Sequence, residues 1–345
     1  MRKILFTGIT FMLFICSTFS ALADDHYRTE EVTFNNGDSV LAGTLALPKG
    51  AGPYPAIVFI HGDGPATRDS SGLLPLFGEE FTCHGFACLV YDKPGVGESK
   101  GNWLTQSMHD RAVEALAAID FLQARGDIQP DMIGFWGGSQ AGWVMPMAVS
   151  MSKDVAFIIS VSGPISWEKQ GDYMRIRRLQ REGFSEDEIQ EALACSKEDN
   201  SFIRKASSLA EYKELEKTLP EKCAVYSAHP LETDRWRFVK LNIDSDARSA
   251  LRQTRCPVLA IFGDKDVHVD VYESMEVYKE ELAAAGNTDV TIRLFPNADH
   301  ALIESEYSLP VSLCSELKVE FFGKDAFVPG YFETMTQWLD ERVKN

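Results

Sequence analysis

A serine among small residues, a histidine just past an apolar run, and aspartates between them are the residues here whose types and spacing could do chemistry. Ser139 lies in Met132-Ile133-Gly134-Phe135-Trp136-Gly137-Gly138-Ser139-Gln140-Ala141-Gly142. This reads as a short strand, a sharp turn and the start of a helix, the pattern G-x-S-x-G with Ala141 in place of the last glycine. Such a turn forces strained backbone dihedrals on the serine and lifts its hydroxyl above the sheet. Residues two positions either side must be small, and Gly137 and Ala141 are. A nucleophilic serine needs a base and an acid to orient that base. His300 follows the apolar run Val290–Phe295, and Asp264 and Asp266 follow the run Pro257–Gly263. Asp266 is the expected acid because it has cleared its strand and can reach the histidine. Asp264 is expected to cap the turn, with Asp299 as a remote third candidate. His268 follows the acid too closely to be the base, and His26, His84, His109 and His229 lack a strand-end context. The expected chemistry is acyl transfer to water.

The elements that must position these groups can be read outward from them. Glu31–Phe34 and Val40–Leu47 flank Asn36-Gly37 and read as a hairpin. Pro55–Ile60 is a continuous apolar run, as expected of a strand buried on both faces. It ends in His61-Gly62-Asp63-Gly64-Pro65, a glycine-rich loop able to aim backbone N–H groups at a developing oxyanion. The amides of Asp63 and Gln140 are the expected pair of donors, with His61 orienting the loop. Gly85–Asp92 is a further strand. Ser107–Ala124 is a helix whose stripe Val113, Leu116, Ala117 and Phe121 is expected to pack on the sheet. The helix after the elbow carries Pro146, read as a kink. Val155–Val161 is the next strand. Such alternation predicts a mainly parallel sheet covered by helices on both faces.

The alternation stops near Pro164. Residues 165–250 are charged and helical, and Ser185-Glu186-Asp187-Glu188 is a capping box. Tyr173, Ile176 and Leu179 mark an amphipathic helix before it. This stretch reads as a helical lid over the elbow, and a lid excludes water. Trp143, Trp167 and Tyr173 are the expected substrate-binding residues, with Arg235, Trp236 and Arg237 as further candidates to line a pocket. The expected layout is a core of residues 24–164 and 251–345 with the lid inserted between them.

The chain has 345 residues, of which 45% are hydrophobic and 25% charged, ample for a large core. Met1-Arg2-Lys3, an apolar run to Ile15 and the close Ala21-Leu22-Ala23 read as a secretory signal peptide cleaved after Ala23. Phe14-Ile15 before Cys16 are too bulky for a lipoprotein signal. The run is short for a membrane span, and no other stretch is long and apolar enough, so no stable membrane insertion is expected. The net charge of −17 becomes about −19 without Arg2 and Lys3, which argues against nucleic acid as a partner. Export permits disulfides. Of the six cysteines past the leader, Cys195 and Cys223 share one helical stretch and are the preferred pair. Cys88 and Cys256 read as buried thiols. Neither C-x-x-C nor H-x-x-x-H spacing appears, so no structural metal is expected.

The chain resembles secreted bacterial α/β-hydrolases of the carboxylesterase and dienelactone-hydrolase-like group, with prolyl-oligopeptidase-like and serine-aminopeptidase-like relatives. The resemblance rests on His61–Pro65 with Arg68-Asp69, Tyr91–Ser99, the elbow through Gly142-Trp143, Cys256–Asp266, Asp299-His300 and Pro329-Gly330-Tyr331. It spans nearly the whole chain past the leader, apart from the lid. It implies an α/β-hydrolase fold with an eight-stranded sheet, hydrolysis of a small-molecule ester or thioester, no cofactor, and the triad order Ser139, Asp266, His300. Dehalogenases and epoxide hydrolases carry Asp at the elbow and dienelactone hydrolases Cys, so Ser139 argues against both. Asp63 departs from the small residue common in relatives, and its carboxylate is expected to point away from the oxyanion. The stretch Ile303–Asp325 is longer than the pattern. Two alternatives stay open: an exported peptidase of the aminopeptidase type, with Glu186, Asp187 and Glu188 receiving the substrate amine, and a non-catalytic binding protein on the same fold.

Overall fold

The computed structural model describes residues 27–69, 72–226, 233–304, 318–319 and 322–343. The leader and Cys314 lie outside the described residues. Eight strands form one sheet: β1 (Tyr27–Asn36), β2 (Ser39–Pro48), β3 (Tyr54–Ile60), β4 (Ala87–Tyr91), β5 (Ile128–Gly138), β6 (Ile158–Val161), β7 (Val258–Gly263) and β8 (Val290–Phe295). Their order is β1-β2-β4-β3-β5-β6-β7-β8. β2 pairs antiparallel with both neighbours, and the pairs from β4 to β8 are parallel. The hairpin turns at Gly37, whose φ of 58° suits a residue without Cβ. The carboxyl ends of β5, β7 and β8 therefore share one edge of the sheet, where open parallel sheets gather functional groups.

The central strands are buried on both faces, so their side chains alternate between two cores. Val58, Ile60, Leu89, Tyr91, Ile133 and Phe135 face one side, under α2 (Met108–Gln123), α3 (Ala141–Met151) and α10 (Val271–Ala284). Ile57, Phe59, Val90, Trp136, Ile159 and Val161 face the other, with Phe81 of α1 (Glu79–Cys83) and Tyr331, Met335 and Leu339 of α11 (Tyr331–Val343). α3 runs on through Pro146. α2 opens on a Ser107–Asp110 capping box.

The expected stripe of α2 holds in part: Leu116, Ala117 and Phe121 pack against the core, and Val113 does not. Met108, Arg111, Ala112, Ala115, Ile119 and Leu122 face inward, whereas Val113 is exposed and Leu116, Ala117 and Phe121 are half-buried. The hydrophobic pattern finds one flank of the buried face and misses its centre because Arg111 and Glu114 count as outward positions, yet both are buried.

Between β6 and β7 the chain forms α4 (Trp167–Glu182), α5 (Glu186–Lys205), α6 (Leu209–Glu216), α7 (Cys223–Tyr226), α8 (Thr233–Asn242) and α9 (Arg248–Leu251). The insertion is closed at its neck by the bridge Ser166–Asp246 and the bonds Trp167 N to Ser245 O and Ala247 N to Ile165 O. It has two small apolar cores of its own, one around Trp236 and Ile203 and one around Leu179 and Ile189. Ser185 and Glu188 make the expected capping box at α5. Cys195 and Cys223 are joined as a disulfide. Among the described residues no helix is long and apolar enough to cross a membrane.

Candidate active site

Ser139 occupies the apex between β5 and α3 with φ 53°, a left-handed conformation that costs a non-glycine residue energy. The turn is held by Ser139 N donating to Val161 O at 2.8 Å and Gly142 N donating to Ser139 O at 2.8 Å. A Cβ on Gly137 would lie 2.6 Å from Ala141 Cβ and 2.7 Å from Ile60 O. The elbow therefore demands glycine there and tolerates alanine at 141. A Cβ on Gly142 would lie 2.6 Å from Gly163 Cα, so close packing on the chain leaving β6 fixes that glycine too.

Asp266 and His300 meet at the same edge. Asp266 Oδ2 lies 2.7 Å from His300 Nδ1. Its Oδ1 accepts from the amides of His268 at 2.7 Å and Val269 at 2.9 Å. An ionised carboxylate only accepts, so His300 carries its proton on Nδ1 and leaves Nε2 to accept one. Burial pushes the His300 pKa down, but the charge and hydrogen bond of Asp266 outweigh it and hold it above 6.5. The close approach of the two loops needs Gly263, where a Cβ would lie 2.4 Å from Ala298 O. Asp299 Oδ1 instead accepts from Ala301 N and Ile303 N, and Asp264 pairs with Lys265. His268 lies beside the site, its ring 5.0 Å from that of His300. No hydrogen bond joins Ser139 Oγ to His300 among the described residues, and such bonds often tighten only when substrate binds.

The loop after β3 lies against the elbow, since a Cβ on Gly62 would stand 3.6 Å from Ser139 Cβ. Buried cations hold this loop. Lys93 Nζ donates to Gly62 O at 2.6 Å and Gly64 O at 2.7 Å, bracketing Asp63. Arg111 donates through Nη2 to His61 O at 2.7 Å and through Nη1 to Gln140 Oε1. Gln140 Nε2 donates to Asp63 Oδ1 at 3.1 Å. The two residues expected to supply oxyanion donors are thus linked by their side chains. The Asp63 carboxylate also receives Arg235 of α8 at 3.0 and 2.7 Å. Burial raises its pKa, but Arg235 prevails and keeps it below the ordinary value. His61 Nε2 donates to Tyr91 O at 2.5 Å, and burial lowers its pKa to about 4, so it is a neutral loop-orienting residue at neutral pH.

Tyr173 and Trp167 lie where the insertion meets the core. The Tyr173 hydroxyl donates to Asp266 O at 2.9 Å. Trp167 stacks on Trp143 at 5.4 Å. Trp143 has a packing place rather than a substrate-facing one. It is 3% exposed and its Nε1 donates to Ile165 O, because the first turn of α3 runs beneath the neck of the insertion. Trp236 is buried in the insertion's own core, and Arg237 is exposed. Sequence reasoning passed over Lys93, Arg111 and Glu114. The available signal was their type: charged residues beside an apolar strand end and on a sheet-facing helix.

A model of the X-Pro dipeptidyl-peptidase (S15) family matches residues 36–300. The chain belongs to that family. The S15 match takes in Ser139, Asp266 and His300 and the whole insertion. Esterase EstD of Thermotoga maritima is 26% identical over 289 residues, covering 82% of this chain and 62% of the relative. The putative hydrolase YtaP of Bacillus subtilis is 25% identical over 189 residues, 46% of this chain and 63% of the relative. The chain thus spans less than two thirds of the length of both relatives. The esterase PF2001 of Pyrococcus furiosus superposes with a TM-score of 0.56 at 16% identity, covering 92% of each chain, and shares the fold. This S15 member has the α/β-hydrolase fold.

Proposed function

We propose that the protein hydrolyses carboxylic esters or thioesters through an acyl-enzyme on Ser139. The observation that carries this reading is the pairing of His300 with Asp266 at the sheet edge where Ser139 sits strained on its elbow. His300 Nε2 takes the proton as Ser139 Oγ attacks the carbonyl carbon. The amides of Asp63 and Gln140 receive the oxyanion, each such donor being worth about 3 kcal/mol. His300 then gives its proton to the departing alcohol or thiol, and later draws one from the water that releases the acid. The esterase among its relatives supports an ester over an amide. The acids expected to receive a peptide's amine lie on the outside of the insertion. Glu186, Asp187 and Glu188 are exposed on the first turn of α5, and Glu188 is engaged in the capping box.

A fluorophosphonate probe tests the nucleophile, and Ser139→Ala is expected to abolish labelling. Nitrophenyl esters of graded chain length, set against Xaa-prolyl and aminoacyl nitroanilides, test the substrate class. Faster turnover of the anilides would replace the esterase reading with a peptidase one. Equal labelling of Ser139→Ala would sink the acyl-enzyme.

A further inference from the structure

A carboxylate beside an oxyanion hole is an unfavourable neighbour for the charge that develops there. Asp63 is such a residue, and its own amide is one of the proposed donors. The structure shows what offsets it. Arg235 reaches from the insertion and meets both carboxylate oxygens of Asp63, at 3.0 and 2.7 Å. This is the two-point geometry in which a guanidinium both neutralises and orients a carboxylate.

Arg235 is delivered by a helix docked firmly on the core. Its guanidinium lies 5.0 Å from the ring of Phe238, which is fully buried and packs on Trp103 at 5.2 Å. One turn on, buried Asn242 accepts from Met108 N at 2.8 Å and donates to Gln106 O at 3.1 Å, pinning α8 to the start of α2. Lys93 Nζ in turn lies 4.9 Å from the Trp103 ring and holds Gly62 O and Gly64 O. The loop around Asp63 is therefore gripped from the core by Lys93 and from the insertion by Arg235. The Asp63 carboxylate passes this grip to the elbow through Gln140 Nε2, and Gln140 is clamped on its other side by Arg111.

We infer that Arg235 is a positioning residue for the oxyanion hole, which it serves by neutralising and orienting Asp63. The inference rests on the serine-hydrolase reading above. It makes the insertion part of the machinery of the transition state as well as a cover for the substrate. Without Arg235 the Asp63 carboxylate loses both guanidinium bonds and its tie to Gln140 is free to turn.

The test is second-site rescue in the full chain. Arg235→Gln is expected to lower kcat on a short nitrophenyl ester by about 10-fold, with KM changed less than about twofold, because the loss falls on the transition state. Phosphonylation of Ser139 should slow by the same factor. Adding Asp63→Asn to Arg235→Gln removes the uncompensated charge and should restore most of the loss. Arg235→Lys should keep more activity than Arg235→Gln. A merely structural Arg235 would be rescued by neither change, and its loss would follow the thermal midpoint. Unchanged kcat in Arg235→Gln, a rise in KM alone, or no recovery with Asp63→Asn would each overturn the inference while leaving the hydrolase intact. Failure of the unsubstituted protein to label at all would instead overturn the hydrolase reading, and this inference with it.

Discussion

Asp266 fills two places with one carboxylate: Oδ1 takes two backbone amides and Oδ2 takes His300. Asp266→Asn keeps the size and loses the charge. An amide NH2 turned toward Nδ1 favours the tautomer protonated on Nε2, which cannot accept the proton of Ser139. The acylation rate is therefore expected to fall by about 10³-fold or more. The pH profile should move as well. The proposed mechanism needs neutral His300, so the rate should rise with pH through its pKa, which Asp266 holds above 6.5 against the opposing effect of burial. With the charge gone, burial acts with less opposition and the midpoint of the residual rate should fall. Acylation rates measured from about pH 5 to about pH 9 decide it, and an unmoved midpoint would exclude Asp266 as the partner. The same shift has a stability sign. Protonated His300 favours the fold, so its contribution is complete below the unfolded pKa near 6.5 and is lost as pH rises through the raised value. His61 acts in the opposite sense. Its folded pKa of about 4 means that the unfolded chain takes the proton first, and stability falls as pH drops from 6.5 toward that value.

At the scale of elements, the insertion contains a one-turn helix that needs a fastening. α7 holds Tyr226 against Leu179, Ile189 and Ala192, and Arg178 donates to Tyr226 O at 2.6 Å. The disulfide from Cys195 to Cys223 closes a sequence separation of 28 residues, a loop whose closure removes about 3–4 kcal/mol of unfolded-chain freedom. Replacing both cysteines by serine is expected to destabilise the insertion by about 3 kcal/mol, read as a lower denaturant midpoint. Phosphonylation of Ser139 should hold within about twofold, because the packing of Tyr226 in α7 runs to α4 and α5. A stability change near zero would mean that the packing of Tyr226 suffices. The pairing was legible because both cysteines fall on one helical stretch. The strands were legible because β3, β4 and β7 are uninterrupted apolar runs, and the elbow because Gly137, Ser139 and Ala141 meet a steric demand the structure shows directly. The face of α2 was legible only in part, since a pattern of apolar residues finds Leu116, Ala117 and Phe121 but cannot register an arginine and a glutamate turned inward. Arg111 is inside because its two Nη groups have buried carbonyl partners from two other segments, 29 and 50 residues away, and such long-range pairing leaves no local trace. Trp143 is ambiguous for a related reason: a large aromatic after an elbow reads equally as a pocket wall or as packing, and its burial under the neck of the insertion leaves no local trace.

The whole molecule sets a strongly acidic surface against a site held by cations. Net charge is −17, yet Lys93, Arg111 and Arg235 converge on the loop beside Ser139. A net charge of this sign disfavours adhesion to nucleic acid and anionic membranes. The disulfide joins this picture through compartment, because thiols stay reduced in the cytosol and pair outside it. We propose that residues 1–23 direct export and are removed after Ala23. The apolar run from Ile4 to Ile15 is shorter than the roughly 20 residues a spanning helix needs, and Ala21-Leu22-Ala23 offers the small side chains a signal peptidase requires. Expressed in a bacterial host from Met1, the chain is expected in the periplasmic or extracellular fraction with Asp24 as its first residue and Cys195 and Cys223 unreactive toward a thiol reagent. Expressed without residues 1–23, it should stay in the cytosol with both thiols reactive, and it should unfold at a lower denaturant concentration by the disulfide's share. Intact mass and thiol counting separate these outcomes. A membrane-bound product retaining Met1 would show the segment to be an uncleaved anchor. A paired disulfide in the cytosolic form would break the link between export and the fastening of the insertion.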